Sequence, residues 1–159
     1  MQPNEQLINR LYTAFGKKDY QTMNLCYHPE TTFSDPVFTG LKGKQAQAMW
    51  HMLCSSSIDL VVNYKNVKAD DSTGECYWDA FYLFSATKRK VHNKVTSRFT
   101  FKDGLIISQK DSFDFYAWSR MALGAPGVLL GWTLFLKNKI RARAAANLAA
   151  FIHKHPEYQ

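Results

Sequence analysis

Between Ile58 and Trp118 the chain passes through four long segments rich in aromatic and β-branched residues: Ile58 to Val67, Glu75 to Ala86, Arg89 to Phe101 and Leu105 to Trp118. Such residues fit a pleated, half-buried surface. The links between them are short. Asp70-Asp71-Ser72-Thr73-Gly74 and Lys102-Asp103-Gly104 suit hairpins, and Lys88-Arg89-Lys90 reads as a solvated turn. Strands joined this tightly pair antiparallel, because a parallel pair needs a long crossover. In the second segment Cys76, Trp78 and Ala80 alternate with Tyr77, Asp79 and Phe81. Both faces are therefore partly apolar, and the sheet needs cover on each side.

The cover for one face lies upstream. Leu7, Ile8, Leu11, Tyr12 and Phe15 form one helical stripe, with Asn4 as the expected cap and Gly16 as the stop. Asp19 is placed to cap a second helix running to about Tyr27, ended by His28-Pro29. The strand-like run Thr31-Thr32-Phe33-Ser34 follows, ending at Asp35-Pro36-Val37. After Gly40 and Gly43 comes a third helix with Ala46, Met49, Trp50 and Leu53 on one face, closed by Ser55-Ser56-Ser57. Three helices followed by a meander predict an α+β fold. Strong curvature would wrap the antiparallel sheet around the helices as a cone, with a cavity at its mouth.

The 159 residues suit one domain, with 46% hydrophobic residues to fill a core. The formal charge of +7 is concentrated late: from Phe115 onward six Lys and Arg face Glu157 alone. Leu136, Ile140, Ala144, Leu148, Phe151 and Ile152 predict a long basic amphipathic helix there, ended by His155-Pro156. It is expected first as a solvated helix packed on the sheet or on a partner. The second expectation is a peripheral membrane contact, because the uncharged stretch from Gly127 to Leu136 carries Trp132 and Phe135 directly ahead of four basic residues. Nucleic acid ranks last, since no reader motif or interleaved aromatic set accompanies the charge. The stretch from Met121 to Leu136 would rise only about 24 Å as a helix, short of a hydrocarbon core.

Cys26, Cys54 and Cys76 have no paired spacing and read as reduced core thiols. With no basic, apolar leader visible, the expected location is cytoplasmic. No metal-ligand spacing, phosphate-cradling glycine loop, nucleophile elbow or dinucleotide fingerprint is present, so neither metal nor cofactor is expected. His28 and His51 read as surface or rim residues, and His92 as outward-facing.

Asp35 carries the main chemical signal. Strand alternation puts Thr31, Phe33 and Asp35 on one face. A buried carboxyl there would have a raised pKa, as a proton-transferring base requires. The same residue ahead of Pro36 also suits an ordinary turn. Asp111 shares its period-two face with Ile107, Phe113 and Phe115, so it has apolar companions, although pairing with a basic residue across the sheet would equally explain it. Asp79 faces either the cavity or the outside.

The order of elements and these motifs resemble the nuclear transport factor 2-like superfamily, in its SnoaL-like and ketosteroid isomerase-like branch. The resemblance spans about residues 4 to 118 and rests on Lys18-Asp19-Tyr20, Phe33-Ser34-Asp35-Pro36-Val37, Gly40 and Gly43, Asp103-Gly104-Leu105-Ile106 and Asp111-Ser112-Phe113-Asp114. It implies a cone domain over residues 1 to 118, with residues 119 to 159 as a C-terminal helical extension, and a homodimer formed through the sheet. Asp35 coincides with the isomerase base. The isomerase's two oxyanion donors do not carry over, since their positions fall on Leu11, with Tyr12 next to it, and on Ser97. The Asp-Arg-Asp set of limonene epoxide hydrolase-like members is incomplete too: Asp111 matches one acid, while Val95 and Ser97 stand at the other two positions. In SnoaL-like cyclases a late-strand Asp is the candidate base, which is Asp111 here.

The expected protein is thus a SnoaL-like binder of a small hydrophobic ligand, with isomerase- or cyclase-type proton transfer as its chemistry and Asp35 and Asp111 as candidate catalytic residues. The alternative is a non-catalytic binding or interaction module. Candidate cavity residues are Leu11, Tyr12, Phe33, Trp50, Asp79, Ser97 and Phe113. A cavity reached by both acids favours the enzyme, and one filled by Phe33, Trp50 and Phe113 favours the module.

Overall fold

The computed structural model describes residues 1–159. Helices α1 (Pro3–Gly16), α2 (Tyr20–Asn24) and α3 (Lys44–Ser56) enclose the short strands β1 (Tyr27–Ser34) and β2 (Leu41–Lys42) in the sequence. Then come β3 (Ile58–Ala69), β4 (Thr73–Leu83), β5 (Lys90–Lys102) and β6 (Leu105–Ser112), followed by α4 (Phe115–Leu123), α5 (Ala125–Leu130) and α6 (Leu134–His153). The six strands form one curved sheet in the order β2-β1-β6-β5-β4-β3. The α+β cone expected from the sequence is the fold of the chain.

The stripe on α1 does what its spacing dictates: Ile8, Leu11, Tyr12 and Phe15 are all buried against the concave face of the sheet. Met23 of α2, with Ala46, Met49 and Trp50 of α3, completes this core. The concave face itself is built from Cys76, Trp78 and Ala80 on β4 and Val91, Asn93, Val95, Ser97 and Phe99 on β5, all buried. On the convex side, Val61, Tyr77 and Phe81 remain exposed. All three cysteines are buried free thiols.

Five details depart from expectation. The sheet is not wholly antiparallel: β1 lies parallel to β6, for instance Phe33 beside Gln109. Its distance along the chain from β6 removes the hairpin constraint on direction. Helix α2 ends at Asn24, and Tyr27 and His28 belong to β1, where the Tyr27 hydroxyl donates to Gln109 Oε1 at 2.6 Å. The α1 cap is Gln2, whose side chain accepts from the amides of Asn4 and Glu5. Asn4 is buried and donates to the carbonyl of Asp70 in the β3–β4 hairpin.

The fourth departure is the end of the sheet. Strand β6 stops at Ser112, because Asp114 caps a helix by accepting from the Ala117 amide at 3.0 Å. Phe115, Trp118 and Ala122 then bury one face of α4, a helical rather than a period-two spacing. The expected boundary at residue 118 therefore falls inside α4. The fifth concerns α6, which lies not on the sheet but against α3 and across the open end of the cone. Arg141 Nε ties it to the Pro36 carbonyl at 2.9 Å. No helix is long and apolar enough to cross a membrane.

Replacing Asp114 by Ala should cost about 1 kcal/mol, the usual loss for an N-cap, measured as a lower urea midpoint with an unchanged m-value.

Candidate functional site

The cone encloses a cavity of about 580 Å³, most of whose lining is apolar. Phe33, Trp50, Phe113 and Trp118 contribute aromatic walls, and α6 closes one side with Ile140 and Ala144. Both candidate acids line it. The aromatic residues border the space rather than fill it.

Asp111 sits on β6 opposite Ser97 of β5. Its Oδ1 accepts from the Ser97 hydroxyl at 2.5 Å and from Gln109 Nε2 at 3.0 Å. Proton directions in this cluster are fixed by the residue types. The Trp78 indole N–H can only donate, and it reaches Ser97 Oγ at 2.8 Å; the Tyr12 hydroxyl donates to the same oxygen at 2.7 Å. Ser97 has one proton and gives it to Asp111. Tyr27 donates to Gln109 Oε1, which turns the amide so that its NH₂ faces Asp111. Both bonds fall on Oδ1, leaving Oδ2 as the oxygen available to a ligand. Burial is the largest influence on this carboxyl and raises its pKa; the Ser97 and Gln109 bonds lower it, and nearby Asp35 raises it again, for a result of about 7.

Asp35 follows β1 directly and unites the two readings made of it. Its Oδ1 accepts from the amides of Val37 at 2.7 Å and Phe38 at 2.6 Å, a turn-forming pattern, while the residue still lines the cavity. Desolvation pushes its pKa up; the two amides and then Arg141 pull it down, leaving it at about 6. The two carboxyls thus differ in kind. Asp35 is held by backbone donors and a nearby guanidinium, which favour the anion, whereas the hydrogen-bond partners of Asp111 are neutral and the Asp35 charge opposes its ionisation.

Of the seven candidate cavity residues, Phe33, Trp50 and Phe113 line the cavity. Leu11, Tyr12 and Ser97 do not. Leu11 is packed in the core, and Tyr12 and Ser97 stand behind Asp111 as its hydrogen-bonding support. Asp79 faces outward, where it meets His92 Nε2 at 2.7 Å, because the Trp78 and Ala80 parity takes the concave face.

Several polar cavity residues escaped sequence reasoning, among them Arg143 and Asn147 of α6 and, on the concave face of the sheet, Tyr82 and Asn93. Tyr82 lies two positions beyond Ala80 on the concave face and lines the cavity. Trp118 Nε1 donates to its hydroxyl at 2.9 Å, leaving the phenolic proton free for a ligand oxygen. Burial first, and Asp35 further, push its pKa upward, so it remains a donor. Asn93 is buried at the cavity wall and its amide has no protein partner. Extending the Val95, Ser97, Phe99 stripe back by two would have found it.

Outside the cavity, His51, His155 and Glu157 bring ligand-type atoms within 4.8 Å of one another, which no local spacing announces. Stacking accounts for the arrangement. The His51 ring lies 3.5 Å from that of Tyr20, its Nδ1 is 2.9 Å from the Tyr158 hydroxyl, and His155 Nδ1 is 2.7 Å from the Phe151 carbonyl. His51, with Phe151, His155 and Tyr158, clasps the end of α6 and the turn after it to α3.

Residues 8–109 match the model of the SnoaL-like domain. The chain belongs to the SnoaL-like domain family. Similar solved structures share its fold at low identity. A Mycobacterium tuberculosis limonene epoxide hydrolase-like epoxide hydrolase is 16% identical, with a TM-score of 0.64 over 84% of this chain and 95% of its own. A provisionally assigned SnoaL-like polyketide cyclase from a Jannaschia species is 17% identical, with a TM-score of 0.67 over 78% and 93%. A Catenulispora acidiphila protein with a ketosteroid isomerase-like fold, in complex with trimethylamine, is 10% identical, with a TM-score of 0.65 over 80% and 96%. Comparison with curated proteins finds no match. The SnoaL-like segment ends before Asp111, so the deeper acid and all of α6 lie beyond it.

Both acids have native pKa values above that of the unfolded chain. Their contribution to stability is therefore complete below about pH 4 and is lost as pH rises through about 6 and about 7. Melting temperature should fall over that range, and Asp111→Asn should flatten the upper part of the fall. Ser97→Ala should destabilise the fold by about 2–4 kcal/mol, because it orphans Tyr12 and Trp78. The same change should move the Asp111 carboxyl resonance to a higher titration midpoint in NMR.

Proposed function

We propose that this SnoaL-like protein catalyses proton transfer on a small, hydrophobic, carbonyl-bearing substrate, as an isomerase- or cyclase-type enzyme. The observation that carries this reading is the placement of two carboxyls, poised near neutral pH, on the wall of one apolar cavity. A solvated Asp would be too weak a base. At neutral pH Asp35, at about 6, is mainly ionised, and Asp111, at about 7, retains a proton part of the time. The different hydrogen-bond partners of the two acids, backbone amides on Asp35 and neutral side chains on Asp111, suit them to different roles.

In this scheme Asp35 Oδ2 removes a proton from the carbon beside the carbonyl. The C–H electron pair moves into the new C=C bond, and the carbonyl π pair moves onto oxygen. That oxyanion is met by donors: Asp111 in its protonated form, with the Tyr82 hydroxyl and the Asn93 amide on the same cavity wall. Return of the oxygen pair to re-form C=O, with Asp35 giving its proton to another carbon of the conjugated enolate, completes an isomerisation. Attack of the enolate carbon on a second carbonyl carbon of the same substrate forms the ring C–C bond, breaks that carbonyl's π bond and leaves an alkoxide that takes the proton from Asp35. Epoxide hydrolysis of the two-Asp-and-Arg type is disfavoured, because Val95 and Ser97 occupy the positions its Arg and second Asp would need.

The test uses a panel of hydrophobic cyclic ketones in D₂O, with loss of the α-proton signal followed by NMR. Exchange above the buffer rate is expected, rising through about pH 6 and declining above about pH 7, with the two apparent values belonging to the pair. Asp35→Asn should reduce it by roughly a hundredfold or more and Asp111→Asn by a smaller factor. Ketones that bind while exchanging at the buffer rate would show a carrier and defeat the enzymatic reading.

A further inference from the structure

The most exposed apolar surface of the molecule lies at the corner where α5 turns into α6. Leu129 is 69% exposed, Trp132 74%, Leu134 66% and Phe135 70%, all within one short stretch. The corner is well supported from within. Trp132 Nε1 donates to the Leu129 carbonyl at 3.0 Å, the Thr133 hydroxyl donates to the Leu130 carbonyl, and Thr133 Oγ1 accepts the Leu136 amide at 3.2 Å. Beneath it Gly127 packs so closely that a side-chain carbon there would collide with the Ser119 carbonyl, which fixes α5 against α4. Four large apolar side chains are thus presented outward on a braced backbone whose turn groups are already hydrogen-bonded.

The surroundings of this corner are basic. Lys137 lies over the Phe115 ring and Arg120 over the Tyr116 ring. Arg89, from the β4–β5 link, reaches the Met121 carbonyl at 2.9 Å and borders Gly124 at the start of α5; Lys139 is exposed on α6. No Asp or Glu occurs between Phe115 and Pro156. An apolar, Trp-bearing tip inside a ring of one charge complements an anionic lipid surface, where the rings enter the acyl boundary and the cations meet headgroups. A second copy is a poorer partner, because joining two such corners would bring two positive rims together.

We propose that the α5–α6 corner docks the protein on anionic bilayers, inserting Leu129, Trp132, Leu134 and Phe135 with Arg89, Arg120, Lys137 and Lys139 at the headgroups. From Phe135 it is about 8 Å along α6 to Ile140, which lines the cavity. Docking therefore brings the α6 side of the cavity close to the lipid, from which an apolar substrate would come. The docking itself does not depend on the catalytic reading.

The test is flotation of the full chain with phosphatidylcholine vesicles, with and without about one-third phosphatidylglycerol, in low and high salt. Binding is expected only with the anionic lipid, weakening as salt rises, with a blue shift of tryptophan emission that Trp132→Phe removes. Trp132→Ser with Phe135→Ser should reduce partitioning by roughly tenfold or more, and Arg120→Glu with Lys139→Glu should abolish it. Both double variants alter exposed side chains, and an unchanged melting temperature confirms that they fold. The proposal is overturned if wild type fails to float with anionic vesicles at low salt. It is equally overturned if sedimentation shows the corner holding two copies together, so that Trp132→Ser with Phe135→Ser dissociates a dimer without affecting flotation.

Discussion

The hydrogen bond from Ser97 to Asp111 is the interaction on which the interior depends. A carboxyl buried among Trp, Tyr and Phe side chains is costly to ionise, and its surroundings must supply donors or leave it neutral. Here the donors come from a chain of residues with no freedom to reverse. Trp78 and Tyr12 both give protons to Ser97, so Ser97 must give its own to Asp111, and Tyr27 orients Gln109 to do the same. The cluster draws on α1, β1, β4, β5 and β6. A shift of register in any of them would orphan a buried polar atom, so this network selects one arrangement of the cone in a way that apolar packing alone would not.

Asp35 solves the same problem by a different means. Its Oδ1 is held by two backbone amides of the turn that it begins, so its support is local and needs no distant partner. Removal of water raises the pKa of both acids, Asp111 being buried and Asp35 half-buried, while amide donors and a nearby guanidinium favour the Asp35 anion. Both carboxyls are thus raised well above the ordinary carboxylate range, to about 6 and about 7.

The fold was legible because its signals are periodic. The α1 stripe, the alternation in β4 and β5 and the Asp103-Gly104 turn each report a local choice that the packed structure keeps. The two acids were legible for the same reason: a charge on an otherwise apolar strand face stands out. What could not be read was whether Asp79 shared that face, since Trp78 and Tyr77 make both sides of β4 apolar. Tyr82 and Asn93 were missed because a Tyr or an Asn looks ordinary until a neighbour decides whether its donors are used. The end of β6 was misplaced for a related reason: Phe113 and Phe115 fit a strand, and only the capping bond of Asp114 turns Phe115 into the start of a helix.

The C-terminal extension completes one wall of the cavity in this chain. The SnoaL-like segment ends at residue 109 and on its own would leave the cavity open where Ile140 and Ala144 now stand. Water admitted there would restore the hydration of Asp35 and Asp111 and return both toward ordinary carboxylate values. Helix α6 covers that side of the cavity, and Arg141, in donating to the Pro36 carbonyl, holds the turn that carries Asp35 and helps to lower its pKa. The anchoring runs in the opposite direction as well, since the His51, Phe151, His155 and Tyr158 stack holds the far end of the helix to α3. A helix held by Arg141 and by that stack thus supplies one wall of the cavity that both acids line, beyond the SnoaL-like segment of residues 8–109.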